Sequence, residues 1–190
     1  MKKYWGKAIS FEEYLQKTED IVNKNEADLT EEEKGMLEYY KLGVQRMNRM
    51  LKVYKPDENQ LKTLEEKQFK GKFLVISEGW CGDAGQTVPA VSLFFKGKNE
   101  VRVIYRDENP ELIDQFLTNG TRSIPIVVIL NENDEVITHW GPRPAYGTEL
   151  LKKHKANPEE YPKPQFYNDL QLYYAKNRGF DVINEILELI

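Results

Sequence analysis

The sequence predicts a mixed α/β fold in which a central sheet is flanked by helices, with helical extensions at both ends. Short β-rich apolar runs alternate with helical patterns between residues 72 and 141. Amphipathic helical patterns occupy the chain before and after that region. An alternation of strands and helices that ends in two adjacent strands is typical of a mixed sheet with helices packed on it.

The N-terminal third predicts three helices, over 9–24, 31–54 and 58–67. The first two begin with a capping box, a serine or threonine followed three residues later by glutamate. Apolar side chains recur along the second helix at steps of three or four, which predicts a packing face. That apolar stripe consists of Met36, Tyr40, Val44, Met47, Leu51 and Tyr54.

The central and C-terminal regions supply the sheet and the remaining helices. Period-two runs predict strands, and proline and glycine indicate where helices begin and end. The predicted elements are strands at 72–77, 101–107, 124–130 and 135–141, and helices at 84–96, 109–120, 148–155, 165–177 and 180–190. We divide the chain into an N-terminal helical extension (1–66), a core (67–156) and a C-terminal helical extension (157–190), which together form one compact unit.

Composition and charge exclude several classes of function. The formal net charge of -4, with 31% charged residues, argues against a nucleic-acid-binding surface. No apolar run approaches the roughly 18 residues of a membrane span, and the N-terminus lacks the apolar core of a secretory signal. A single cysteine forms no intrachain disulfide, so we expect a free thiol in a reducing cytoplasm.

The stretch SEGWCGDAGQTVP, from Ser77 to Pro89, contains the strongest functional signal. It places Cys81, the only cysteine, where a predicted strand passes into a predicted helix. Free N–H groups and the dipole at a helix N-terminus stabilise a thiolate, which is the nucleophilic form of cysteine. Asp83 opposes that effect because a nearby carboxylate disfavours a second negative charge, and it is alternatively a helix cap. The alternative to a reactive thiol is an inert cysteine in an inherited scaffold.

Four features in register resemble the thioredoxin family. The W-C-G-D stretch resembles the family's W-C-G-P-C motif at its first three positions, and Pro89 follows the cysteine by eight residues. The stretch GTRSIP at 120–125 resembles the segment that ends in the cis-proline of thioredoxins, and 44 residues separate Cys81 from Pro125. The motif further resembles a bacterial thioredoxin-like subgroup with a single-cysteine W-C-G-D-A site.

The resemblance implies a thioredoxin-like fold in which Cys81 is the catalytic nucleophile. Pro125, in cis, would set the backbone of Ile124 opposite the sulfur, as an edge for an extended peptide. Arg122 and Arg143 are candidate ligands for an anion such as a glutathione carboxylate, and are otherwise solvated surface residues or caps on helix ends. The residues assigned to substrate binding are Trp80, Gly82, Asp83, Ile124, Pro125 and Arg122.

Two departures from the family pattern point in the same direction. Ala84 stands where thioredoxins carry a second cysteine, and Val75 stands where they carry a buried aspartate linked to that cysteine. Without the second cysteine, a buried carboxylate would only add a desolvation cost. We therefore predict that the protein is not a dithiol thioredoxin, and that any redox cycle uses an external thiol such as glutathione or a partner cysteine.

Three functions are compatible with the motif. The first is a monothiol oxidoreductase, in which Cys81 attacks a protein or small-molecule disulfide and an external thiol releases it. The second is a non-catalytic thioredoxin-fold module that binds a protein beside Pro125. The third is a peroxide-reducing or peroxide-sensing thiol, but the threonine and proline expected before the cysteine are missing. We expect no metal and no resident cofactor, because two histidines and one cysteine form no ligand cluster.

Overall fold

Four β-strands form one mixed sheet at the centre of the molecule. The computed structural model describes every residue from 1 to 190. The strands are β1 (Lys72–Ser77), β2 (Val101–Tyr105), β3 (Ile126–Leu130) and β4 (Val136–Trp140). Their spatial order is β2-β1-β3-β4, in which β1 and β2 are parallel and the other two pairings are antiparallel. The mixed sheet that the sequence predicts is therefore confirmed.

Nine helices surround the sheet. They are α1 (Lys2–Trp5), α2 (Phe11–Asn23), α3 (Glu31–Val53), α4 (Glu58–Lys67), α5 (Ala84–Phe95), α6 (Pro110–Ile113), α7 (Ala145–Ala156), α8 (Lys163–Asn177) and α9 (Phe180–Glu188). Short 3-10 turns occur at Glu26–Asp28 and Asp114–Phe116. Both helical extensions reach the central region, because α3 packs against α5 and α9 packs against α4 and α5. None of the nine combines the length and the apolar character that crossing a bilayer requires.

The capping signals form fully at the N-terminus of α3 and in part at that of α2. The Thr30 hydroxyl accepts from the Glu33 N–H at 3.1 Å, and the Glu33 carboxylate accepts from the Thr30 N–H at 2.9 Å. Ser10 accepts from the Glu13 N–H at 3.0 Å, without a reciprocal bond from the glutamate side chain. These bonds satisfy N–H groups that have no partner within the helix, and so they define where α2 and α3 begin.

One apolar core joins the helical extensions to the sheet. Phe73 of β1 and Phe94 of α5 are at most 1% exposed. The same core contains Tyr14 of α2, Met47 of α3 and Ile183 of α9. A large apolar side chain contributes about 1.5–3 kcal/mol when it is fully buried, so side chains from all three segments of the chain stabilise one fold.

The predicted helix at 109–120 is wrong beyond its first turns. α6 covers only one turn of it, and a 3-10 turn follows. Asn119 and Gly120 both have positive φ, of 51° and 75°, and Thr118 and Thr121 exchange backbone hydrogen bonds of 2.9 and 3.0 Å. This is the geometry of a two-residue turn that Asn-Gly favours, so the turn chemistry overrides the helical pattern.

The packing face of α3 differs from the predicted stripe. Met47 is fully buried as predicted, but Leu51 is 42% exposed. Gly43 and Met50, which lie outside the stripe, are buried instead. The buried face of α3 therefore consists of Gly43, Met47 and Met50, and the absence of a side chain at Gly43 lets α3 approach closely.

Candidate functional site

Cys81 lies in the loop between β1 and α5. Its backbone N–H donates to the carbonyl of Glu78 at 3.0 Å, which closes a tight turn after the strand. Its carbonyl accepts from the Gly85 N–H at 3.0 Å, which is the first backbone bond of the helical turn that follows. The sulfur therefore lies where the strand ends and the helix begins.

The thiol faces the peptide bond that precedes Pro125. The Cys81 S–H donates to the Ile124 carbonyl across 3.4 Å, and the Ile124–Pro125 bond is cis. Both residues of that bond are buried. The tertiary structure thus brings together the cysteine and the GTRSIP stretch, which are 43 residues apart at this contact.

The Cys81 thiol is buried, and its surroundings favour the protonated form. The residue is 8% exposed. Burial, followed by the negative charge of Asp83, raises the pKa of the Cys81 thiol to about 12. The N–H groups of Ala84 and Asp83 and the charge of Arg143 act in the opposite direction without offsetting burial. Burial therefore opposes the thiolate that the helix N-terminus predicts, and the negative charge of Asp83 acts in the same direction as burial.

Asp83 is held by two hydrogen bonds from the C-terminal part of the chain. Arg143 Nη2 donates to Oδ2 at 2.6 Å, and the Tyr174 hydroxyl donates to Oδ1 at 2.6 Å. Asp83 itself is 8% exposed, and a buried carboxylate is costly unless it is paired in this way. Asp83 occupies the N-cap position of α5, but its side chain makes no capping bond to the helix and pairs with Arg143 and Tyr174 instead.

α3 lies directly on the loop that carries Cys81. A Cβ atom added at Gly43 would lie 2.1 Å from the carbonyl oxygen of Gly79. A Cβ atom added at Gly82 would lie 2.7 Å from Nη1 of Arg46. The contact at Gly43 is with backbone, so the absence of a side chain there is what allows the helix to cover the loop, whereas the flexible Arg46 side chain could move away from a Cβ atom at Gly82.

Glu78 is a second buried carboxylate, three residues before the cysteine, that the sequence analysis does not single out. It is 6% exposed, and its Oε1 accepts from the Asp107 N–H at 2.9 Å. Burial raises the pKa of Glu78 to about 7. The bond ties the loop before Cys81 to the loop after β2. The only signal in the sequence is an acidic residue directly after a strand that is otherwise apolar.

Trp80 and Arg106 form the neighbouring wall of the site. The Arg106 guanidinium lies 4.9 Å from the Trp80 ring centre and donates to the Arg122 carbonyl at 3.3 Å. The Arg122 side chain forms a bidentate surface pair with Asp114, at 2.7 and 2.8 Å. Only the backbone carbonyl of Arg122 thus contacts Arg106. Its guanidinium is a surface group paired with Asp114, which is the alternative to binding an anion.

The fold and the Cys81 loop define the class of protein. The mixed four-stranded sheet flanked by helices is a thioredoxin-like fold. A family model described as Thioredoxin matches residues 29–156, which is more than half of the chain. The chain therefore belongs to that family. No group of three or more histidine, cysteine, aspartate or glutamate side chains is arranged to hold a metal ion.

Two solved structures share the fold at low sequence identity. A protein of unknown function from Pseudomonas aeruginosa is 15% identical with a TM-score of 0.62, and the match covers 96% of this chain and 91% of that one. A scaffold for an HIV epitope is 15% identical with a TM-score of 0.63, covering 98% of this chain and 94% of that one. Because nearly the whole chain is covered, the likeness includes the helical extensions, and at this identity it concerns the fold alone. No curated protein matches the sequence significantly.

Proposed function

We propose that the protein is a monothiol thiol–disulfide exchange protein of the thioredoxin fold, in a bacterial single-cysteine W-C-G-D subgroup. The observation that supports it most is the position of Cys81, at the start of α5 with its S–H directed at the Ile124 carbonyl. Attack of Cys81 on a disulfide forms a mixed disulfide and releases one half as a thiol. An external thiol then attacks the mixed disulfide and frees Cys81, since the chain has no second cysteine.

In this proposal the closed site keeps Cys81 unreactive until it opens. Burial is the largest cause of the raised pKa of Cys81, so exposure of the sulfur returns that pKa towards the ordinary value of about 8.5. The external thiol is of low molecular weight, such as glutathione, or belongs to a partner protein. Such thiols are abundant in a reducing cytoplasm, which is the compartment that this function requires.

A second candidate is a non-catalytic module that binds a protein beside Pro125. One observation favours it, namely the burial that raises the pKa of Cys81 to about 12. In that case Cys81 packs as a small apolar side chain, and its chemistry is not used.

Trapping of mixed disulfides on the native protein separates the two functions. Monothiol exchange predicts that glutathione disulfide adds one glutathione to Cys81 in the folded protein, that reduced glutathione removes it, and that Cys81→Ser abolishes the adduct. The binding module predicts an adduct only after unfolding in urea. Insulin reduction is a further check, because exchange without a second cysteine predicts no turnover of thioredoxin type.

A further inference from the structure

The guanidinium groups of Arg46 and Arg143 lie beside the Cys81 loop, and Arg49 follows Arg46 on α3. Arg46 and Arg49 project from α3, and Arg143 precedes α7. Asp83 forms its ion pair with Arg143, while Arg46 and Arg49 form none. Arg46 is close enough to interact electrostatically with Asp83, Cys81 and Arg49. Arg46 therefore lies near Asp83 without forming an ion pair with it, and Asp83 is already paired with Arg143.

Several donors of this arginine cluster, Arg46, Arg49 and Arg143, make no hydrogen bond within the protein. Arg49 Nη2 and Arg143 Nε are buried without a partner. A Cβ atom added at Gly82 would lie 2.7 Å from Arg46 Nη1 and 3.9 Å from Gln171 Nε2 of α8. Buried donors are normally paired, and guanidinium groups pair best with carboxylates or phosphates. The donors of two helices thus converge beside the residue that follows Cys81.

We propose that Arg46, together with Gln171, binds the carboxylate of a small thiol or disulfide substrate next to Cys81. The inference rests on the proposed monothiol function and specifies its substrate class. Because α3 contacts the loop at Gly43, a folded protein disulfide has little room at the sulfur, whereas a small molecule needs much less. Arg46 Nη1 lies against Gly82, the residue after Cys81, so an anion bound to that guanidinium lies beside the loop that carries the cysteine.

The first exchange, attack of Cys81 on the disulfide, needs no reagent besides the disulfide itself. The Cys81 sulfur bonds to one sulfur of the disulfide as the S–S bond breaks, and the leaving half departs as a thiolate that takes up the proton lost by Cys81. An external thiol then attacks the substrate sulfur of the mixed disulfide, and Cys81 leaves and takes up the proton lost by that thiol. Arg46 holds the carboxylate and is a positioning residue, because it does not act on the reacting sulfurs.

Three small disulfides that differ in charge test the proposal: dithiodipropionate (anionic), hydroxyethyl disulfide (neutral) and cystamine (cationic). The rate of mixed-disulfide formation on the wild type should be roughly tenfold higher for the anionic than for the neutral probe, since charge-assisted hydrogen bonds favour it. Arg46→Gln should reduce this preference to near parity. Lys52→Gln, which removes one charge from the exposed face of the same helix, should keep it. Equal rates in the wild type, or an unchanged preference in Arg46→Gln, would overturn the proposal.

A binding measurement separates failure of this site from failure of the proposed function. Cys81→Ser is titrated with methylthiopropionate, an unreactive carboxylate, while the Arg46 side-chain NMR signal is followed. Saturable binding that Arg46→Met abolishes supports the site, and methionine keeps much of the arginine stem if Arg46→Gln does not fold. The absence of binding overturns it. Binding without reaction of any disulfide would retain the site but refute monothiol exchange.

Discussion

The hydroxyl group of Tyr174 in α8 donates a 2.6 Å hydrogen bond to Asp83, two residues after the only cysteine. The two residues are 91 positions apart in the chain. Burial, and then the charge of Asp83, raises the pKa of Tyr174 well above its ordinary value, so the hydroxyl stays protonated and continues to donate. The C-terminal helical extension is therefore part of the structure around the cysteine.

Tyr174→Phe should lower the free energy of unfolding by about 1.5–3 kcal/mol, because it removes a hydrogen bond to a buried charge. Urea unfolding measures the change. Tyr167→Phe is the matched control, since Tyr167 is 50% exposed on the same helix and should change stability by less than about 0.5 kcal/mol. Equal stability of the two variants would contradict the importance of the Tyr174 bond.

Asp83→Asn should lower the pKa of Cys81, because the charge of Asp83 is the second cause of the raised value. The pKa should stay above the ordinary value of about 8.5, since burial, the largest cause, is unchanged. The pH dependence of the iodoacetamide alkylation rate measures the pKa of Cys81 in the wild type and in Asp83→Asn. In the wild type that rate should rise about tenfold per pH unit up to about pH 10 without a plateau. A wild-type plateau at or below neutral pH would refute the closed, protonated thiol.

Gly43→Ala should destabilise the protein by about 1–3 kcal/mol or more, because the new methyl group would lie against the Gly79 carbonyl oxygen. It should also speed alkylation of Cys81, since α3 must move away from the loop. Gly35→Ala on the same helix is the control: nothing lies within 4 Å of its added methyl group, so it should stabilise the protein by about 0.5–1 kcal/mol. If both variants are equally stable and equally slow to alkylate, α3 does not cover the site.

Glu78→Gln should change how stability depends on pH. The pKa of Glu78 is raised to about 7 from an ordinary 4.5, so its stabilising contribution is complete below about 4.5 and is lost as pH rises through 7. The groups facing it are Asp107, Arg106 and Glu108 after β2, Tyr105 in β2, Tyr40 in α3 and Tyr14 in α2.

Glutamine stays neutral and can still accept from the Asp107 N–H. As pH rises from about 5 to about 8, the free energy of unfolding of Glu78→Gln should therefore increase by roughly 2–3 kcal/mol relative to that of the wild type. Urea unfolding at the two pH values tests this, with the exposed Glu132→Gln as control. A difference between wild type and Glu78→Gln that does not change with pH would show that Glu78 titrates normally.

Ala84→Cys should allow a disulfide with Cys81, because Cys81 lies three residues before Ala84, the first residue of α5, which is the spacing that thioredoxins bridge. Mild oxidation followed by mass measurement and thiol counting should show the loss of two hydrogens and of both free thiols. Persistent free thiols under oxidation would mean that the burial of Ala84, which is 0% exposed, prevents the local movement that bonding needs.

Local chemistry made most of the elements predictable. Residues 72–77 are apolar and β-rich, and the strand forms with these bounds. Thr30 and Glu33 form the predicted capping box, because that signal depends only on residues within one helical turn. The Asn119–Gly120 turn is equally local, and the helix predicted across it does not form because the positive φ angles that Asn-Gly favours override helical periodicity.

The sequence by itself determined that Cys81 has no cysteine partner within the chain, and it located that cysteine between a strand and a helix. Only the tertiary structure decided the state of the thiol. A helix N-terminus favours a thiolate through groups that are neighbours in sequence, whereas desolvation depends on what packs over the sulfur. Here α3 covers the loop, and Arg143 and Tyr174 hold Asp83 beside it from 60 and 91 residues away. Burial is a property of the whole fold, so it outweighs the local signal, and no pattern within SEGWCGDAGQTVP reveals it.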